Sequence, residues 1–396
     1  MLGANIKFSD VPKADFNPKS NVEIVNIPDG ITAIGTNAFT EMANLKKISF
    51  PESVTAIGYN AFYACSNLDD VYISNNIYSL GEFAFRNCTS LSFIRIEKGN
   101  PQDTSRTWLT GIPNGCFWNC KKITDIEWLP NHINGLGNDS FRGTKISSIE
   151  LGENEVNPLY TGSLYNSGVS NIGQRAFAEC NRLSGVIINE TLWSFGIGAF
   201  QDCTALLDVK ISDYAYRFST SGQSMRTAIP DNLFSGCTSL EKVKLPKYAT
   251  SIGSNTFKNC ESLEKITLPQ GNAVGSAYLT TIPMSIFEGC TSLQKVTIPY
   301  PEKIQYIYQN AFKDCAVLMD IPTFLGLVQI GNQAFMNCES ITSIEIPSTC
   351  TTIGTNAFAG CTSLQTITIH KAQDAITGAP WGADTSVTSI VWDGTE

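Results

Sequence analysis

The sequence of 396 residues predicts a right-handed solenoid with a parallel β-sheet on its concave side and few helices. Three observations carry this. The pattern IGxxAFxxCxxLxxIxIP, or a worn copy of it, returns thirteen times, with its phenylalanine at Phe39, Phe62, Phe85, Phe117, Phe141, Phe177, Phe200, Phe234, Phe257, Phe287, Phe312, Phe335 and Phe358. The successive spacings are 23, 23, 32, 24, 36, 23, 34, 23, 30, 25, 23 and 23, so a 23-residue unit repeats and six copies carry extra residues. Each copy ends in alternation: Val71 and Ile73 fall to one side and Asp70 and Tyr72 to the other, the period of a half-buried strand. A repeat this short means stacked coils rather than one globular core.

In chain order, residues 1–28 read as an N-terminal cap and first strand, 29–370 as the repeat array and 371–396 as a C-terminal cap. Each copy opens on a corner. Glycine follows the corner isoleucine in nine copies, and Pro113, Pro230, Pro283 or Tyr308 replaces it in four, as a permissive or a pre-bent backbone allows. Ile57, Ala61, Phe62, Cys65, Leu68, Val71 and Ile73 point inward in one clean copy. One short strand per copy is expected. Successive strands run the same way after a full coil, so they pair in parallel and the next coil satisfies their backbone groups. Between corner and strand, no helix beyond about two turns fits at a rise of ~1.5 Å per residue. Thirteen steps of ~4.8 Å predict an axis of ~60 Å.

Thirteen in-register copies make the repeat resemble the Treponema pallidum-type leucine-rich repeat of BspA-like bacterial surface proteins, over nearly the whole chain. The tail Ala379, Pro380, Trp381, Gly382, Ala383, followed by Ile390 and Trp392, is similar to the end that closes such arrays in gut bacterial proteins. Departures are local. The copy at Phe141 lacks the cysteine and one residue of its turn, and Met42 holds the cysteine position of the first copy. The resemblance implies a non-enzymatic protein, secreted or on the cell surface, that works by adhesion to a host matrix protein or another cell.

Composition adds bounds. With 42% hydrophobic and 16% charged residues the chain can bury a long core, and the repeats overrule the two or three domains that its length alone suggests. A net charge of −9 gives no footprint for nucleic acid or an anionic membrane, and no apolar run approaches a membrane span. The start, Met1 to Phe16, does not resemble a signal peptide. The chain therefore reads as cytoplasmic or as a mature segment without its export signal and anchor, and the resemblance favours the second. A monomer is expected.

Eleven of the thirteen cysteines sit three residues after a repeat phenylalanine, as Cys65 and Cys88 do. That is a core ladder. Stacked coils hold equivalent Cβ atoms near ~4.8 Å, beyond the ~3.8 Å mean of a disulfide, so free buried thiols are expected. Cys116 takes a slot that holds alanine in most copies, and Cys350 lies between a strand and a corner. Cys116 and Cys120 form CxxxC without a second pair, which is not zinc spacing. No metal or cofactor is expected.

Most catalytic constellations fail on geometry. His132 and His370 lie nine coils apart, roughly 43 Å at ~4.8 Å per coil, and cannot share a site. Gly196 and Gly198 belong to a repeat corner rather than a phosphate loop. One carboxylate pair stands out: Glu127 and Glu150 share an outward strand position in neighbouring copies, with Asp125 nearby. Three readings stay open there, a solvated acidic patch, a cation site, and a carboxylate pair at glycosidase spacing.

The extra residues point to function. They fall after the strand and before the next corner, for example in 97–110, 152–170, 212–228 and 270–280, and so crowd one rim of the solenoid. These loops hold Trp108, Tyr160, Tyr165, Tyr214, Tyr216, Phe218 and Tyr278, ring types that give rigid contact area at low entropic cost. The sheet face beside them carries Tyr72, Phe93 and Arg95 early and Lys210, Lys242, Lys244, Lys265 and Lys295 later. The sequence thus points to a protein or glycan ligand on a host or neighbouring cell, held by the concave sheet and one rim of loops. A carbohydrate-binding accessory module and a passive spacer are the alternatives.

Overall fold

The structure, a computed structural model, describes residues 22–97, 107–126, 129, 133–151, 169–188, 192, 194–213, 228–271 and 278–394. It divides into two compact units, Met1–Phe200 and Gln201–Glu396. Each is a parallel β-solenoid of the expected repeat, about 14 turns in all. Among the described residues there is no α-helix, only one turn of 3-10 helix at Pro301–Lys303.

In the first unit the long strands are Ile24–Asn26, Lys47–Ser49, Asp70–Ile73, Phe93–Ile96, Ser148–Leu151 and Gly185–Ile188. They pair in parallel one coil apart, Val71 opposite Ile94 and Ile149 opposite Val186. The second unit repeats the scheme with Asp208–Ile211, Lys242–Lys244, Lys265–Thr267, Lys295–Thr297, Ser343–Ile346, Thr366–Ile369 and Ser389–Trp392. The last of these lies within the segment read as a cap. It continues the ladder, with Trp392 opposite Ile369, while the buried Trp381 donates its indole N–H to the Thr377 carbonyl at 2.9 Å.

Two points differ from the sequence reading. Each coil has a second strand, only two residues long, at the corner: Ala33–Ile34, Ala56–Ile57 and Ser79–Leu80 in the first unit, and Thr281–Ile282, Tyr306–Ile307, Gln329–Ile330 and Thr352–Ile353 in the second. These also pair in parallel. Two residues carry no alternation to read. The corner glycine, moreover, is required by proximity rather than by a permissive backbone. A Cβ on Gly58 would sit 2.8 Å from the Gly35 carbonyl carbon, and one on Gly81 would sit 2.3 Å from that of Gly58. At Gly58 and Gly81 backbone meets backbone and leaves no room for a side chain, whereas Pro113, Pro230, Pro283 and Tyr308 take the slot in four other coils.

The turn between corner and long strand forms a third hydrogen-bonded column. Asn60, Phe62 and Ala64 donate their N–H groups to the carbonyls of Glu82, Ala84 and Arg86 in the next coil, at 3.1, 2.8 and 2.8 Å. Aiming these donors along the stack puts Asn60 and Ala64 in the left-handed region, with φ of 52° and 58°. The same two offsets hold Asn, Asp or Gly in many other coils, the residues that tolerate this region best.

The core follows the expected register. Ile57, Ala61, Phe62, Cys65, Leu68, Val71 and Ile73 are all at most 1% exposed. The phenylalanine rings stack face to face, with centroids 5.2 Å apart for Phe39–Phe62 and Phe62–Phe85, and 5.7 Å for Phe257–Phe287. All thirteen cysteines are free and buried. Their role is polar as well as steric: the thiols of Cys65, Cys88 and Cys315 donate to the carbonyls of Phe39, Phe62 and Phe287 in the preceding coil, at 3.0 to 3.1 Å. Where the copy at Phe141 lacks cysteine, the buried Thr144 hydroxyl donates to the Phe141 carbonyl at 2.8 Å and lies 3.3 Å from the Cys180 sulfur.

Candidate functional site

Because strand residues alternate, every long strand turns half of its side chains away from the core. In the first unit this face carries Tyr72, Phe93 and Arg95. The Tyr72 and Arg95 backbones are paired neighbours, and Asp70 is paired with Phe93. Phe93 is 67% exposed and Tyr72 45%. The Arg95 guanidinium lies 5.8 Å from the Tyr72 ring centroid, and the Tyr72 hydroxyl donates to Glu97 at 3.0 Å. That hydrogen bond to a carboxylate raises the phenol pKa. The result is two exposed aromatic side chains on paired strands, with a cation beside the tyrosine and a hydrogen-bonded parallel ladder beneath them.

The same face of the second unit is basic. Lys210 pairs with Asp208 at 3.1 Å, Lys244 with Asp213 at 3.3 Å and Lys295 with Asp320 at 3.1 Å. These are exposed pairs of small energetic weight. No hydrogen-bonded ladder joins Lys242–Lys244 to Lys265–Thr267 among the described residues. An open groove of about 570 Å³ lies there, lined by both signs of charge, Glu241, Lys242, Glu264, Lys265 and Lys295 with Thr297.

The rim residues are only partly placed. Trp108 is half-buried, and Tyr278 packs edge-on against Tyr300 at 4.9 Å with the Lys303 ammonium 5.6 Å from its ring. Tyr160, Tyr165, Tyr214, Tyr216 and Phe218 lie outside the described residues, as does Glu127 of the acidic pair. Asp125 accepts from the Thr124 hydroxyl at 3.3 Å, and Glu150 stands outward on its strand. Among the described residues no group of three or more His, Cys, Asp or Glu is placed to hold a metal ion.

One cluster escaped the sequence reading. In the turn column of the first unit, Trp118 has the Arg86 guanidinium 3.8 Å from its ring centroid and that of Arg142 at 4.8 Å. Arg142 also pairs with Asp139 at 3.3 Å and with Glu179, and Arg175 reaches Asp139 at 3.1 Å. The Glu179 bond raises the Arg142 pKa against the lowering effect of its burial. The available signal was positional: Arg86, Trp118 and Arg142 each follow a repeat phenylalanine directly.

The repeat is matched along the chain by the model of the BspA type leucine rich repeat region, over residues 9–106, 107–224, 160–276, 227–365 and 280–390. No curated protein matches. Among solved structures, a leucine-rich repeat protein from Bacteroides ovatus ATCC 8483 is 22% identical, with 94% of this chain and 92% of that one covered and a TM-score of 0.54, which shows the shared fold. A leucine rich cell surface protein from Faecalibacterium prausnitzii A2-165 is also 22% identical, covering 90% and 89% at a TM-score of 0.46. The T. pallidum leucine rich repeat protein is 18% identical, covering 75% and 83% at 0.23. With matches running from residue 9 to residue 390, the chain belongs to the BspA type leucine-rich repeat family.

Proposed function

We propose that the chain is a non-enzymatic binding protein that acts outside the cell, secreted or at its surface, and engages a host matrix protein or another cell's surface. The single observation that supports this best is Phe93, a large apolar ring left 67% exposed on the ordered long-strand face, with Tyr72 and Arg95 next to it. Exposed aromatic and arginine side chains on a rigid scaffold are the groups that most often anchor partners. The inserted loops with Trp108 and Tyr278 extend the contact area in this reading. Extracellular action rests on family membership. No helix among the described residues is long and apolar enough to cross a membrane.

The test is a panel of matrix proteins beside a glycan array, each probed with the parent chain and with Phe93→Ala. A protein ligand weakened by the substitution supports adhesion. A glycan ligand weakened by it supports the accessory-module reading, to which stacking of sugar on Tyr72 and Phe93 would be suited. Binding to nothing on either panel leaves the spacer reading.

A further inference from the structure

The turn column of the first unit holds two arginines in the same repeat position, and only one of them has its counter-charges. Arg86 follows Phe85 as Arg142 follows Phe141, and both guanidinium groups lie over Trp118. Arg142 meets Asp139, two residues before its own phenylalanine, and Glu179, two residues after the next one. The corresponding slots around Arg86 hold Phe83 and Asn119. Asn119 has the same left-handed backbone as Glu179, with φ of 62° against 60°. Its side chain thus leaves the place that a glutamate carboxylate takes two coils further along the column.

Among the described residues nothing else neutralises Arg86. Among the described residues no carboxylate lies within ion-pair distance, and Glu82 of the same turn accepts instead from the Asn114 amide at 2.8 Å. Phe83 at 5.6 Å and Tyr63 at 5.8 Å add to the Trp118 contact. The Nε of Arg86, like that of Arg142, is buried without a hydrogen-bond partner, so what separates the two arginines is the carboxylates that meet Arg142. Stacking uses the face of a guanidinium and leaves its N–H edge for a planar acceptor. The Asn119 amide donates one hydrogen to Asn87 at 2.9 Å and carries a second.

We infer that Arg86, held by Trp118 and flanked by Asn119, is a binding site for a carboxylate supplied by a ligand, which takes the place that Glu179 takes beside Arg142. The site lies on the turn column and does not depend on the long-strand face. Carboxylates of two sources have the required chemistry, a uronic acid sugar and an acidic side chain. Sodium glucuronate against glucose, and acetyl-aspartate-amide against acetyl-asparagine-amide, separate them by calorimetric titration of the full chain. Saturable binding of either acid, absent for its neutral counterpart, is expected, and the acid that binds identifies the source. Arg86→Met keeps a flexible side chain on Trp118 and should weaken that binding at least about tenfold, a change of ~1.4 kcal/mol. Asn119→Glu supplies the carboxylate internally, so it should abolish binding and raise the thermal midpoint, which also shows that the variant is folded. The inference is overturned if neither acid binds, if Arg86→Met binds as the parent does, or if Asn119→Glu leaves both affinity and midpoint unchanged.

Discussion

The turn column and the long-strand face are built from the same coils, yet they constrain sequence in opposite ways. In the turn, Phe62 is wholly buried and stacked at 5.2 Å on both neighbours, Cys65 donates to a carbonyl of the preceding coil, and Gly58 has no room for a Cβ. Each position admits few kinds of residue: phenylalanine in all thirteen copies, cysteine in eleven, and glycine in nine with proline or tyrosine in the rest. On the long-strand face, Lys47, Asp70, Phe93, Lys242 and Lys265 occupy equivalent outward positions with different charge and size. Parallel pairing satisfies their backbone whatever their side chains are, so this face is free to specify a partner while the turn specifies the fold.

The largest expected effect breaks the turn column through its thiols. Burial, only partly offset by hydrogen bonds, raises Cys65 to about 12 and Cys180 and Cys361 to about 11, against an ordinary 9.0. In the unfolded chain these thiols ionise near 9; in the folded chain they keep their protons. The stability they supply is therefore complete below pH 9 and is lost as the pH rises through the folded values, between about 9 and 12. A two-unit shift at a fully buried thiol such as Cys180 is worth roughly 3 kcal/mol, and the ladder multiplies it. Urea unfolding curves should show the midpoint falling steeply above pH 9, and a midpoint that stays level to pH 11 would contradict the ladder. In the same samples at neutral pH, thiol reagents should find almost no native sulfur and all thirteen cysteines after denaturation without reductant.

Next in size is Phe62→Ala, which removes one ring from the stack and should cost ~3–5 kcal/mol in chemical unfolding. Gly81→Ala tests the close approach instead of the cavity. Its new Cβ would fall 2.3 Å from backbone, so the coils must separate and the corner pairing of Ala56–Ile57 with Ser79–Leu80 should fail. Loss of the slow amide exchange at Gly81 and Ser79 is the readout. A protein that takes alanine there at less than ~1 kcal/mol would show that proximity does not fix the glycine.

The same contrast explains what the sequence made legible. Thirteen copies of one phenylalanine and eleven of one cysteine declared the column, because a core position repeated in register has no alternative reading. The two-residue corner strands were invisible, since pairing at Ala33, Ala56 and Ser79 depends on the stack rather than on local alternation. The outward positions of Tyr72, Phe93 and Arg95 followed directly from period two. Arg86, Trp118 and Arg142 did not, because they meet across coils at offsets where most copies carry unrelated residues, and only the three-dimensional stack brings them to one ring.

The smallest expected change in stability belongs to the long-strand face, and it is the one that sharpens the comparison. Phe93→Ala removes a ring that touches mostly water, so unfolding should shift by no more than ~0.5 kcal/mol, against ~3–5 kcal/mol for the same chemical change at Phe62. Binding should reverse the order. If the face around Tyr72, Phe93 and Arg95 holds the partner, Phe93→Ala and Arg95→Ala should each weaken a ligand found on the matrix or glycan panel by ~1–3 kcal/mol, visible mainly as faster dissociation in surface plasmon resonance. Lys47→Ala, in the same outward column two coils before Phe93, should change neither quantity measurably. Unfolding separates the two outcomes: a Phe93→Ala protein that loses stability as Phe62→Ala does would place Phe93 in the core, whereas one with parental stability and parental affinity would move the binding surface to the inserted loops.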